Sequence, residues 1–170
     1  MYKMLKVFKH EEPKKENIEF DIYTPLNIEF GVWNISKEPT IYWRTGDFRG
    51  SLIEIGIGKH KNDIRSITLP ICKNVYEVDN YCENNFNIFK GSPILELQNI
   101  NDEIYTDEKG TLKVYIESKS VSIIFSENKI SDCLQNDNVY FYLDANKSLV
   151  GLRVNNISNE NKAILKQALA

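Results

Sequence analysis

The sequence predicts a mainly β chain (α+β): an antiparallel meander sheet, or a partly closed barrel or sandwich, finished by one short C-terminal helix. Three observations predict it. Apolar and polar residues alternate at period two through most of the chain, the signature of half-buried strands. Short polar connections separate these runs, as in hairpins. Only the stretch from Ile157 to Ala170 switches to helical spacing.

Taken in order, Tyr2–Phe8 sets Leu5 and Val7 against Lys3 and Lys6 and reads as a strand, and the charged stretch 10–17 around Pro13 reads as a loop. Ile18, Phe20 and Ile22 alternate with Glu19 and Asp21, and Pro25 ends that run. Ile28, Phe30 and Val32 lead into Trp33, and Ile41 and Trp43 begin a short strand after a turn at Ser36–Pro39. Residues 51–69 predict a hairpin: Leu52, Ile53, Ile55 and Ile57, a polar turn at His60–Asp63, then Ile64, Ile67 and Leu69. Residues 72–93 are irregular, with a loop at Tyr81–Asn87, and Ile94, Leu95 and Leu97 form a short apolar run. A turn is expected at Asp107–Thr111. Four alternating runs follow, at 112–116, 121–125, 139–143 and 149–154, and their short connections favour antiparallel neighbours over parallel crossovers. The hairpin grammar of 51–69 recurs at 139–154, as an internal duplication would produce or as any two hairpins would. In the final stretch Ser158 suits an N-cap, Glu160 suits the first turn, and Ile164, Leu165, Ala168 and Leu169 share a face.

The chain has 170 residues, which fits a single domain over 1–170 able to bury roughly two-thirds of its unfolded surface. Hydrophobic residues make up 42% and charged residues 26%, which argues against disorder. The net charge of −3 gives no basic excess, so no nucleic-acid partner is expected. Cys72, Cys82 and Cys133 are odd in number and form no CxxC pair, which points to a reducing compartment. The N-terminus has no signal-peptide core, and no apolar run approaches the roughly 20 residues of a membrane span. The expected location is therefore the cytoplasm, away from the membrane.

Catalytic grammar is absent from the sequence. His10 and His60 fall in polar segments at no metal-ligand spacing. The cysteines lack the basic neighbours that activate a thiol. Gly46–Gly50 (GDFRG) fits a hairpin loop better than a phosphate loop, because no helix start follows it. No catalytic residue, metal site or cofactor is expected, and the chain reads as a non-enzyme. The candidate partner-binding residues are Glu96, Asp102, Glu103, Tyr105, Asp107 and Glu108, an acidic stretch with Ile100, Ile104 and Tyr105 among the charges. Opposite charge steers association and aromatics anchor it, so this stretch suits a basic partner, with a solvated acidic loop as the plain alternative. A Ca²⁺ loop is excluded by the missing DxDxDG spacing. Nine Tyr, eight Phe and two Trp either line a pocket or pack the sheets.

Phe48–Leu69 (FRGSLIEIGIGKHKNDIRSITL), with the late meander and the terminal helix, resembles small bacterial immunity proteins that accompany polymorphic or contact-dependent toxins. The abundance of Asn, Ile, Lys and Tyr reads as AT-biased bacterial coding. The resemblance implies a small, acidic, non-enzymatic cytoplasmic protein that binds and neutralises a bacterial toxin domain. It implies no particular binding residue. The alternatives are a ligand-binding β-barrel that uses its interior aromatics and, behind it, an enzyme with an unrecognised site. Oligomeric state is open.

Overall fold

The computed structural model describes residues 5–31, 38–81, 86–97 and 103–170. In chain order the first strands are β1 (Lys6–Glu11), β2 (Glu16–Glu19), β3 (Leu26–Phe30), β4 (Thr40–Gly46), β5 (Leu52–Gly58), β6 (Ile64–Ile71), β7 (Val75–Glu77) and β8 (Asn87–Lys90). They are followed by β9 (Ser92–Glu96), β10 (Tyr105–Lys109), β11 (Lys113–Ile116), β12 (Val121–Ile124), β13 (Asp132–Gln135), β14 (Val139–Leu143) and β15 (Leu149–Val154), then the helix α1 (Asn159–Ala168). The chain is mainly β, as expected, with one short C-terminal helix. The strands form a six-stranded sheet, β10-β4-β5-β6-β3-β2, a seven-stranded sheet, β7-β11-β12-β15-β14-β13-β8, and the pair β1-β9. Among the described residues no sheet closes on itself, so the barrel alternative is not realised.

The two larger sheets share one core. Ile53, Ile55 and Ile57 of β5 alternate inward with Leu52, Glu54 and Gly56 facing out, and the inward set joins Val121, Ile123, Phe141 and Leu152 of the other sheet. Phe30 of β3 meets Phe141 of β14 at 5.9 Å between ring centroids, and Trp43 of β4 meets Phe125 edge-on at 5.4 Å. Trp43 is therefore a packing residue, and Trp33 lies outside the described residues. Polar clamps tie the layers. The Glu16 carboxylate accepts hydrogen bonds from Asn136 Nδ2 and from the backbone N–H groups of Asn138 and Val139. β9 meets the β5–β6 turn through Leu95 N–H to Asn62 O, while β1 meets the β14–β15 turn through Val7 N–H to Lys147 O.

The predicted hairpins form: β5 pairs β6 and β14 pairs β15, both antiparallel and in different sheets. The four late runs pair antiparallel as expected, β11 with β12 among them, but not in simple sequence order. β12 pairs β15, and three edge pairs, β4–β10, β7–β11 and β8–β13, are parallel. The short connections that argued for antiparallel neighbours do not constrain these pairs, whose partners lie far apart in the chain. The loop expected at 10–17 begins later, because His10 and Glu11 pair with Pro93 and Ser92. The irregular section 72–93 supplies β7 and β8, and β13 had no period-two signal because its apolar residues, Cys133 and Leu134, are adjacent and both buried. The turn expected at Asp107–Thr111 begins instead as strand β10.

Helix α1 forms as its sequence predicts. Ser158 caps it, Oγ accepting from Asn161 N–H at 3.0 Å, and Leu165 is fully buried in the shared core. Lys166 pairs with Glu77 of β7, and Lys162 Nζ donates to Ser118 O, so the helix sits by the β11–β12 turn.

Candidate functional site: the outer face of the β10 edge

The acidic stretch does not stay together. Glu96 lies in β9 opposite Lys6, in the separate β1–β9 pair. Asp102 falls outside the described residues. Glu103 is exposed just ahead of β10, and Tyr105, Asp107 and Glu108 lie within it. Strand alternation then separates these three. Glu108 turns toward the core, where its carboxylate accepts from Trp43 Nε1 at 3.0 Å and its carbonyl accepts from Thr45 Oγ1 at 2.6 Å. Tyr105 and Asp107 turn outward.

Outward, β10 meets side chains that the acidic motif did not include. Parallel register sets Tyr105 beside Tyr42 and Asp107 beside Arg44, and β5 sets Glu54 beside Arg44. Arg44 donates to Asp107 through Nε at 2.7 Å and Nη2 at 2.9 Å, a fork that fixes the guanidinium plane. The same guanidinium lies over the Tyr105 ring, 4.6 Å from its centroid, and Tyr105 stacks on Tyr42 at 5.4 Å. The hydrogen bond to Asp107 holds the Arg44 guanidinium more firmly charged than usual. Burial pushes the Glu54 carboxyl up, although Arg44 pulls it down. The ladder is ordered yet open: Tyr105 is 48% exposed and Ile104 beside it 60% exposed.

Among the described strands β10 is also an edge. Tyr42 N–H donates to Ile104 O and Gly110 N–H to Gly46 O, so even-numbered residues of this strand bond to β4. By ladder alternation the backbone groups of Tyr105, Asp107 and Lys109 face away from it. On the inner side of the edge, a cavity of about 330 Å³ opens between the sheets, with Trp43, Phe125 and Leu149 among its walls and Glu108 and Lys113 at its rim.

The other candidates have structural roles. His10 stacks on Phe89, and it is the backbone N–H of His60 that donates to Glu38. Burial raises the Glu38 carboxyl, but N–H bonds from Lys61 and His60 and the charge of Arg65 outweigh it and hold it low. Cys72 and Cys133 are buried, burial pushes the Cys72 thiol up, and Cys82 lies outside the described residues. In the GDFRG loop Asp47 Oδ1 accepts from the N–H groups of Arg49, Gly50 and Ser51, and a Cβ on Gly46 would sit 2.1 Å from Ser51 O. That loop is a turn closed by its own aspartate, which takes up the Arg49, Gly50 and Ser51 amides a phosphate would need. Among the described residues no three His, Cys, Asp or Glu side chains gather to hold a metal, and no helix is long and apolar enough to cross a membrane.

The sequence held little signal for Tyr42, Arg44 and Glu54. They are ordinary strand residues until β10 is laid in register beside them. No family model matches this chain and no curated protein matches it.

Proposed function

We propose that this chain is a non-catalytic binding protein of the immunity type, which docks a bacterial toxin domain on the outer face of β10, β4 and β5. One observation carries the reading: the Tyr42–Tyr105–Arg44–Asp107 ladder is held rigid by its own contacts while Tyr105 remains open to solvent. Tyrosine and arginine are the commonest anchors of protein interfaces, and side chains already ordered lose little entropy on docking. Glu54, Asp107 and the nearby Glu103 outnumber Arg44 and Lys109 here, which suits a basic partner. The open backbone edge of β10 adjoins the ladder and suits an added strand.

The test is calorimetry against the toxin-like product encoded beside this chain. Tyr105→Ala should weaken the complex by at least about 2 kcal/mol, a 30-fold loss or so. Glu103→Lys, which breaks no described contact, should slow association and flatten its salt dependence. Absence of a complex, or full affinity in Tyr105→Ala, would remove this reading. Asp107→Ala is a poorer probe because it also frees Arg44.

A second reading, a small-ligand-binding protein, is favoured by the cavity beneath Trp43, whose volume falls in the ligand range. A saturable change in Trp43 fluorescence in a Trp33→Phe background, with an apolar ligand, would support it over docking.

A further inference from the structure

The seven-stranded sheet carries a polar centre on the face turned away from the shared core. Register runs one row of side chains across it: Tyr76 beside Tyr115, then Ser122, Arg153, Tyr140 and Gln135. Directly paired residues share a face, so Arg153 rises from the interior strand β15 between Ser122 and Tyr140. Beside it the Glu117 carboxylate is only 2% exposed. One of its oxygens accepts from Tyr81 N–H at 2.7 Å, and the other from Ser120 Oγ at 2.6 Å and Ser122 Oγ at 3.5 Å. Arg153 Nε stands 3.6 Å from that second oxygen, within ion-pair distance but outside hydrogen-bond geometry. The neighbouring Tyr142 hydroxyl is fully buried and has no hydrogen-bond partner among the described residues. Burial pushes that phenol up to about 12 against the pull of Arg153 and Ser122, so it stays a donor at neutral pH.

Over this floor lies an open depression of about 570 Å³, lined by Arg153, Tyr140, Ser120, Lys119, Asn155, Asn156 and Asp79. The volume is that of a small-molecule site. Its chemistry is biased toward donors. Glu117 is turned inward with both oxygens engaged, and Lys162 reaches the nearby Ser118 carbonyl. An entering group therefore meets a guanidinium, an ammonium and amides, with Asp79 the one acid besides Glu117 among the described lining residues.

We propose that this depression binds a small polar molecule through an oxyanion, carboxylate or phosphate, with Arg153 as its charge partner and Glu117 as the positioning residue that aims the guanidinium. A charge-assisted, planar contact of this kind is what arginine provides and lysine does not. The site lies on the sheet that does not carry the β10 ladder, and its occupancy is independent of partner docking.

The experiment is a ¹H–¹⁵N titration of the whole chain that follows the Arg153 Nε–Hε signal and the Asn155 and Asn156 side-chain amides. The probes are sodium phosphate and sodium citrate, with sodium chloride at matched ionic strength and glycerol as controls. Saturable movement of these signals at millimolar phosphate or citrate, absent in both controls, is the expected result, and the stronger of the two arms identifies the anion. Arg153→Lys should weaken binding about tenfold, since it keeps the charge and loses the fork. Lys119→Gln, at an exposed position, should weaken binding severalfold while leaving the rest of the spectrum in place. No saturable movement with either oxyanion would overturn the proposal. So would chloride moving the same signals equally, or unchanged affinity in Lys119→Gln and Arg153→Lys together.

Discussion

Single carboxylates close the turns of this protein. Asp47 Oδ1 collects three backbone N–H groups while Oδ2 faces Lys73, and Asp144 Oδ1 collects those of Asn146 and Ser148. Lys73 and these N–H groups hold the Asp47 carboxyl well below the usual aspartate range. A carboxyl whose folded pKa lies below its unfolded value adds stability above about pH 3.9, and that stability is lost as the pH falls through the folded value. Wild-type protein should therefore lose more of its urea midpoint than Asp47→Asn between about pH 5 and pH 2. Equal losses in the two proteins would remove Asp47 from the acid response.

At the scale of elements, α1 and β10 illustrate opposite ways to hold a marginal segment. A helix of ten residues is too short to persist alone, so its cap and its one buried side chain decide it. Ser158→Ala should lower stability by about 1 kcal/mol, the usual cost of losing an N-cap acceptor. Leu165→Ala should lower it by about 2–5 kcal/mol, because it opens a cavity in the core the helix closes. Thermal unfolding of both variants would measure this, and a Leu165→Ala loss no larger than that of Ser158→Ala would mean that the helix is merely appended. β10, by contrast, is exposed and polar at alternate positions and buries little. It is held by its ladder to β4, by the Arg44–Asp107 fork and by Glu108 beneath Trp43.

Across the whole molecule, stability rests on two sheets sharing one core. Phe30 and Phe141 make a direct aromatic contact between them. A double-mutant cycle with leucine at both positions should show a coupling of about 0.5–1.5 kcal/mol, the usual worth of an aromatic pair beyond its buried area. A coupling indistinguishable from zero would place the register of the sheets under other contacts, with the Glu16–Asn136 clamp the next to test. The same packing gives each larger sheet one outward face, the first bearing the Tyr105 ladder and the second the Arg153 depression.

Period-two alternation by itself determined the mainly β class, the two hairpins and the inward set Ile53, Ile55 and Ile57, because burial of one face is written in consecutive residues. Ser158 and the spacing through Leu165 determined the terminal helix for the same local reason. Tertiary structure alone decided which strands became neighbours beyond those hairpins. Parallel edge pairs join segments remote in sequence, and nothing local to Asp107 names Arg44, nor does anything near Glu117 name Arg153. The acidic stretch was legible as composition but not as a surface: one residue went to another sheet, Glu108 turned inward beneath Trp43, and Asp107 was taken up by Arg44. A charge becomes a binding feature only once its neighbours across the sheet are known, and the register of distant strands is what supplies them.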